Sequence, residues 1–509
     1  MAGGFLPYHE PGTVKILVIV SFFFFLSLAR WVSAKIFQAG IIGQIAVGII
    51  YGVPLANILE HNWQETFVAL GYVGLILIIF EGECGLGARL DLLKRNFTLS
   101  MVGATTGVCF PIGFSYLLLF LGFGYGAVET FIIGAALSAT SLGTTFAVIS
   151  GTSGSINLSQ TRVGSILVSA AVIDDVVGLV MLSVIGDLGK ISGGDVNLGW
   201  LIGRPIVASI GMAIVTPIVT KWLFAPIFRK YVEHHFARFD HISNIILMIL
   251  VLSAFVAIAG FTGTSVLFGA FLAGVFLTYL PSKRPEGPFV VMSREEGERE
   301  ADKSPTFVHT FEKYLLEPQK YLMEPLFFAS IGFAIPFLDL WTGKRIWRGV
   351  VYTLLMALGK CIVGIWIPVW QLALTGKSRG YQKPCEQQNR EGQPENEDNH
   401  RNTEKELSVE EKKKLWRRVW LAAVLLGSAM VARGEIGLLI IEIGHNETPY
   451  VSDDGFITGI WAIVLNTIIG PVSVGVLVRL YAKKIGEGEW GLQDPSPPAA
   501  SHEISHAAV

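Results

Sequence analysis

Two aspartates stand side by side in an apolar run, Ala170-Ala-Val-Ile-Asp174-Asp175-Val-Val-Gly-Leu179, with no other ionisable residue between Arg162 and Asp187. On a helix, adjacent side chains point about 100° apart, so one carboxylate can face a cavity while the other reaches a neighbouring helix. Withdrawn from bulk water, such oxygens become a place where protons and a hard cation compete. The third group is Lys360, in Met356-Ala-Leu-Gly-Lys-Cys-Ile-Val-Gly364. It lies too deep in its apolar run to reach water by snorkelling, and so it needs a carboxylate. A buried lysine can exchange a proton when its partner takes up a cation. An ion pair that only holds helices together would use the same residues.

Ser138-Ala-Thr140-Ser141-Leu-Gly-Thr-Thr145 is hydroxyl-rich and centred on glycine, a composition that favours local unwinding. Freed carbonyls and hydroxyls would then supply oxygen ligands, helped by opposed half-helix dipoles. The bland reading is a close-packed helix face whose hydroxyls bond to the preceding turn. Ala432-Arg433-Gly-Glu435-Ile-Gly437 is also charged and broken by glycine. Arg433 has Glu81, Glu83 and Glu435 as possible partners; pairing with Glu81 or Glu83 across helices is expected. That pair is structural, because a guanidinium keeps its proton. Each such charge in an apolar run costs roughly 2.5–3.5 kcal/mol on insertion scales, so few are retained without a use.

The elements that position these residues must be membrane helices. Of 509 residues, 51% are hydrophobic and 16% charged, with a mean hydropathy of +0.53, more apolar side chain than one soluble core buries. Runs of about 20 apolar residues fall at 14–34, 36–58, 66–86, 97–122, 127–150, 163–187, 200–228, 243–260, 263–281, 324–340, 346–374, 416–443 and 455–480. Thirteen crossings place thirty lysines and arginines on one face and six (Lys15, Lys190, Arg204, Lys344, Arg345, Arg348) on the other, with Lys221, Lys360 and Arg433 inside spans. By the positive-inside rule, residues 1–13 face outward and the tail 481–509 faces the cytosol. Polar insertions at 282–323 and 375–415 fall on the cytosolic side, the second expected to be partly disordered. The sequon Asn446-Glu-Thr448 is followed by Pro449 and is not expected to be used. Four scattered cysteines offer no metal spacing, and 39 basic against 41 acidic residues give no nucleic-acid footprint. No phosphate loop or cofactor motif is present.

Gly43-Gln-Ile-Ala-Val-Gly48 and Gly269-Ala-Phe-Leu-Ala-Gly274 share a glycine spacing, and Phe80 to Asp91 matches Phe328 to Asp339. Both matches are seven spans apart. Seven is odd, so the halves insert upside down: an inverted repeat of about 14–187 and 243–480 joined by a linker helix at 200–228. The expected fold is thus an all-α polytopic membrane protein of about thirteen transmembrane helices, with two crossing discontinuous helices.

With Ile173-Asp-Asp175, Ala139-Thr-Ser-Leu-Gly-Thr144, Gly269 to Gly274, Phe327-Phe-Ala-Ser-Ile-Gly332, Gly359-Lys360 and Ala432 to Gly437, the chain resembles the cation/proton antiporter superfamily. It is most similar to the two-aspartate branch of NapA-type and Kef-type sodium or potassium/proton exchangers. The resemblance implies an NhaA/NapA-like fold and a homodimer whose six-helix core domain moves like an elevator. It implies that Asp175 binds the cation and protons, that Asp174 pairs with Lys360, and that Thr140 and Ser141 form the unwound crossing. Glu81-Gly-Glu83-Cys-Gly departs from the family's single acid. The expected function is monovalent cation (Na⁺ or Li⁺, with K⁺ as a further candidate)/proton antiport across a lipid bilayer, without a cofactor; a gated Kef-type potassium efflux system is the alternative. An intramembrane aspartyl protease would need aspartates on two helices, and here they are adjacent on one.

Overall fold

The computed structural model describes residues 10–87, 90–141, 161–189, 198–233, 240–281, 306–381, 397–486 and 490–491. Among these, every regular element is helical. Sixteen helices of eight residues or more carry the fold: α1 (Thr13–Phe37), α2 (Gly40–Tyr51), α3 (His61–Gly87), α4 (Leu90–Ser115), α5 (Ala127–Ser138), α6 (Arg162–Leu188), α7 (Leu198–Val219), α8 (Asp240–Thr262), α9 (Val266–Tyr279), α10 (Phe307–Tyr314), α11 (Glu324–Ala334), α12 (Gly343–Cys361), α13 (Trp366–Tyr381), α14 (Glu397–Ala429), α15 (Glu435–Asn446) and α16 (Asp453–Gly486). Eight helices among the described residues are long and apolar enough to cross a bilayer, and α2, α5 and α9 are shorter apolar helices.

Local chemistry sets the ends that matter. Thr161 caps α6, its hydroxyl accepting the Gly164 amide at 3.1 Å. Glu129 caps α5 by accepting the Gly126 amide at 3.2 Å, and its other oxygen takes the Ser452 amide at 3.0 Å, which ties α5 to the start of α16. Pro325 stands in the first turn of α11, which follows directly on a π-helical stretch at Gln319–Met323, so the wider winding falls where the proline supplies no amide hydrogen.

The packing is pairwise: α1 on α2, α2 on α11, α3 on both α9 and α11, α4 on α6 and α12, α8 on α9, α12 on α16, and α5 on α15. The largest apolar cluster lies where α5, α6, α12, α15 and α16 meet, around Ile133, Leu179, Tyr352, Ile441 and Phe456. Between α2 and α11 the backbones touch. A Cβ on Gly48 would sit 2.1 Å from the Ala329 carbonyl oxygen, and one on Gly332 would sit 2.4 Å from that of Ile45.

Both polar insertions hold more helix than their composition suggests. In the first, Thr306 caps α10, which is amphipathic and buries Phe307 and Phe311 beneath the bundle. In the second, α13 runs out to Tyr381 and α14 starts at Glu397. Glu, Lys and Leu are good helix formers, and a membrane span at one end removes the cost of nucleation. At the sequon, Asn446 donates to Glu442 Oε2 at 3.0 Å and the Thr448 hydroxyl is buried against the Gly444 carbonyl.

Candidate functional site

Two interrupted helices touch at the centre of the site. The chain leaves α5 at Ser138 and turns extended at Ala139 (φ −64°, ψ 138°). It leaves α14 at Ala429 and re-enters helix at Glu435, with Gly434 extended between them. The Ser141 amide donates to the Ala432 carbonyl at 3.0 Å, so the two breaks satisfy one another's backbone groups. A Cβ on Gly434 would lie 2.6 Å from Ser141 Cβ and Oγ, which reserves that position for glycine. Gly143 to Thr145 lie outside the described residues.

Helix α6 passes alongside. A Cβ on Gly178 would come within 3.1 Å of Ile436 and 3.6 Å of Ala139, so this face of α6 meets both interrupted helices. Asp174 lies four residues before Gly178, on the same face. Its Oδ2 accepts Lys360 Nζ at 2.5 Å and Thr140 Oγ1 at 2.7 Å, while Lys360 Nζ also reaches Thr140 Oγ1 at 2.8 Å. The Asp174 and Lys360 side chains are 0% exposed. Asp174 Oδ1 is buried and accepts no hydrogen bond from the described residues. Gly107 of α4 leaves room beside the ammonium, since a Cβ there would sit 3.3 Å from Nζ. Asp175, one residue further round the helix, is only half-buried.

Arg433 is completely buried, and its Nη1 donates to the carbonyls of Ala139 and Met430, both at 3.2 Å. These carbonyls lie just beyond the C-terminal ends of α5 and α14, where unsatisfied oxygens and the negative poles of the dipoles gather. The expected pairing of Arg433 with Glu81 is replaced: Glu81 Oε2 accepts Gln319 Nε2 at 2.6 Å, and the guanidinium serves the two helix ends. Glu435 does not pair with it either; it occupies the first turn of α15, where a carboxylate suits the dipole. The Glu83 side chain lies outside the described residues.

The structure brings Asp174, Thr140 and Lys360 into contact, sets Asp175 and Ser141 beside them, and holds Arg433 behind the crossing. Sequence reading passed over Glu442, an acid within the apolar run Leu438 to Ile443, and the buried Tyr352–Ser115 pair, whose oxygens are 2.6 Å apart. Glu442 had a signal: a lone carboxylate in an apolar stretch. No group of three or more His, Cys, Asp and Glu among the described residues could hold a resident metal.

Known proteins can be set beside this geometry. A family profile described as "Sodium/hydrogen exchanger, transmembrane" matches residues 21–480. The chain is 23% identical over 474 residues to a Na⁺/H⁺ antiporter of Enterococcus hirae, covering 90% of this chain and 96% of that one. It is 23% identical over 448 residues to the Na⁺/H⁺-K⁺ antiporter GerN of Bacillus cereus, covering 87% and 91% respectively. Its fold is similar to that of the solved sodium proton antiporter MjNhaP1 from Methanocaldococcus jannaschii, with a TM-score of 0.55 at 16% identity over 93% of this chain and 98% of that one.

Proposed function

The chain belongs to the sodium/hydrogen exchanger family, a family of transporters and not of enzymes, and from that premise we propose that it is a monovalent cation/proton antiporter with Asp175 as the shared binding group. It is a multi-pass membrane protein. The observation that carries the site is the buried Lys360–Asp174–Thr140 contact at the crossing of two broken helices, with the half-buried Asp175 beside it.

Asp174 is held by an ammonium and a hydroxyl, and the cargo is assigned to the half-buried Asp175 beside it. Its carboxylate supplies hard oxygens for a small cation next to the unwound segments. A proton on the same carboxylate removes the charge that attracts the cation. One site therefore carries the two cargoes in turn, and an empty, charged site crosses poorly. The names of the relatives favour Na⁺, and GerN's name keeps K⁺ as a second cargo.

The helix pairs support the thirteen-span inverted repeat. Shifting each member by seven spans turns α2–α11 into α9–α3, α4–α6 into α12–α16, and α1–α2 into α8–α9, and all of these pairs pack. In this reading α7 links the halves, residues 1–13 lie outside and the tail after 480 is cytosolic. A core containing α5, α6, α14 and α15 then moves against a dimerising scaffold.

Reconstituted, folded Asp175→Asn should abolish cation-driven proton movement; retained exchange overturns the assignment. Flux of Na⁺, Li⁺ and K⁺ against an imposed pH gradient, with and without clamped potential, identifies the cargo and the charge moved per cycle.

A further inference from the structure

Glu442 is 8% exposed, and Asn446 Nδ2 donates to its Oε2 at 3.0 Å. Its Oε1 is buried with no partner among the described residues. An intramembrane carboxylate without a cation beside it is expensive, and where one is kept it commonly lies on an ion or proton path. Its place on α15 fits such a path. Glu435, which opens α15 at the crossing, lies seven residues earlier, so the two acids share one helix face about 10 Å apart along the axis. Asn446, one turn beyond Glu442, is exposed. The face thus steps from the crossing to water at the end opposite the C-terminal tail. Helix α15 also packs on α11, whose first turn carries Glu324.

We propose that Glu442 is a second proton-carrying residue of the exchange path, passing protons between the outer solution and the aspartate pair; this rests on the antiport reading above. A hard cation gathers about six oxygens, whereas Oε1 is a single oxygen, enough for one proton. In the transfer, an O–H bond forms on Glu442 Oε1 as one breaks on a hydronium of the outer solution, which leaves as water. That bond then breaks as the proton passes inward through water to Glu435 or Asp175, and no electrons change hands. The elements packed on α15 carry Glu129 of α5, which is held by Ser452, Asp174, Asp175 and Asp187 of α6, Glu324 of α11, and Asp453 and Asp454 of α16, Asp453 being 3.7 Å from His445; Tyr72 of α3 lies near Glu447, just past the end of α15.

The test uses the full chain in proteoliposomes, reading initial exchange rate against external pH at fixed internal pH, then the reverse. Thermal stabilisation by Na⁺ in detergent reports cation binding independently. Glu442→Gln keeps the shape and a bond to Asn446 but carries no proton. We expect at least a fivefold loss of turnover and a flattened external-pH profile, with the internal-pH profile and Na⁺ stabilisation as in the wild type. A smaller loss, or one that follows internal pH equally, overturns the proposal. If Glu442→Gln does not fold, Glu442→Asp decides: a shifted external profile supports the relay and an unshifted one refutes it. Exchange retained in Asp175→Asn would instead defeat the underlying antiport site, whatever Glu442 does.

Discussion

Removing the charges of Lys360 and Asp174 one at a time and then together should show whether the pair is a coupled unit. Both side chains are 0% exposed and 2.5 Å apart. Lys360→Met leaves Asp174 Oδ2 with only the Thr140 hydroxyl, and Oδ1 already accepts nothing from the described residues. Breaking such a pair from one side costs about 3–5 kcal/mol, because the remaining charge stays buried and uncompensated. Asp174→Asn strands the ammonium in the same way. If the sites were independent, the double variant would lose about 6 kcal/mol or more. A buried pair replaced on both sides is close to neutral, so the double should return to within about 2 kcal/mol of the wild type. Reversible unfolding in mixed micelles, read by tryptophan fluorescence, gives the four corners of the cycle. Singles that add to within about 0.5 kcal/mol would mean uncoupled residues and would refute the contact on which the site is built. An exposed pair would contribute no more than about 1 kcal/mol, so the two cases are well separated.

Thr140→Val removes a donor to a charged oxygen and should cost about 1.5–3 kcal/mol in the same assay, with Thr140→Ser retaining most of it. Gly434→Ala puts a methyl 2.6 Å from Ser141 and should destabilise by about 1–3 kcal/mol; its exchange rate should fall while the helical circular dichroism stays unchanged. If proton and cation share Asp175, acidifying the cation side should raise the half-saturating cation concentration by up to about tenfold per pH unit, with the maximal rate preserved. A flux titration showing half-saturation constant over two units would separate the two sites.

The sequence made the carboxylate pair, the lysine and both helix breaks legible because lipid leaves few ways to keep a charge or a freed backbone group. Asp174, Asp175 and Lys360 stand out against apolar neighbours, and the Gly and Ser/Thr clusters mark where helix cannot run on. The partner of Arg433 was not legible. The guanidinium goes to the ends of α5 and α14, and a backbone carbonyl looks the same at every position of a sequence. Glu442 was missed although it lies inside the apolar run 416–443: one residue from the end of that run and just before Gly444, His445 and Asn446, it reads as part of the loop that follows. Helix α10 and the part of α14 before residue 416 were hidden by polar composition, because amphipathic burial and helix extension depend on what the segment is joined to.

The paired notches of Gly48 and Gly332 limit what α2 and α11 can do. Each helix seats a carbonyl of the other in a gap one hydrogen atom deep. A lengthwise slip of one turn, about 5.4 Å, toward Gln44 and Phe328, which stand a turn before the two glycines, would bring an ordinary side chain against that oxygen. The two rods are thus pegged together like a mortised frame, and rulers meant to catch the protein's stroke belong across other joints.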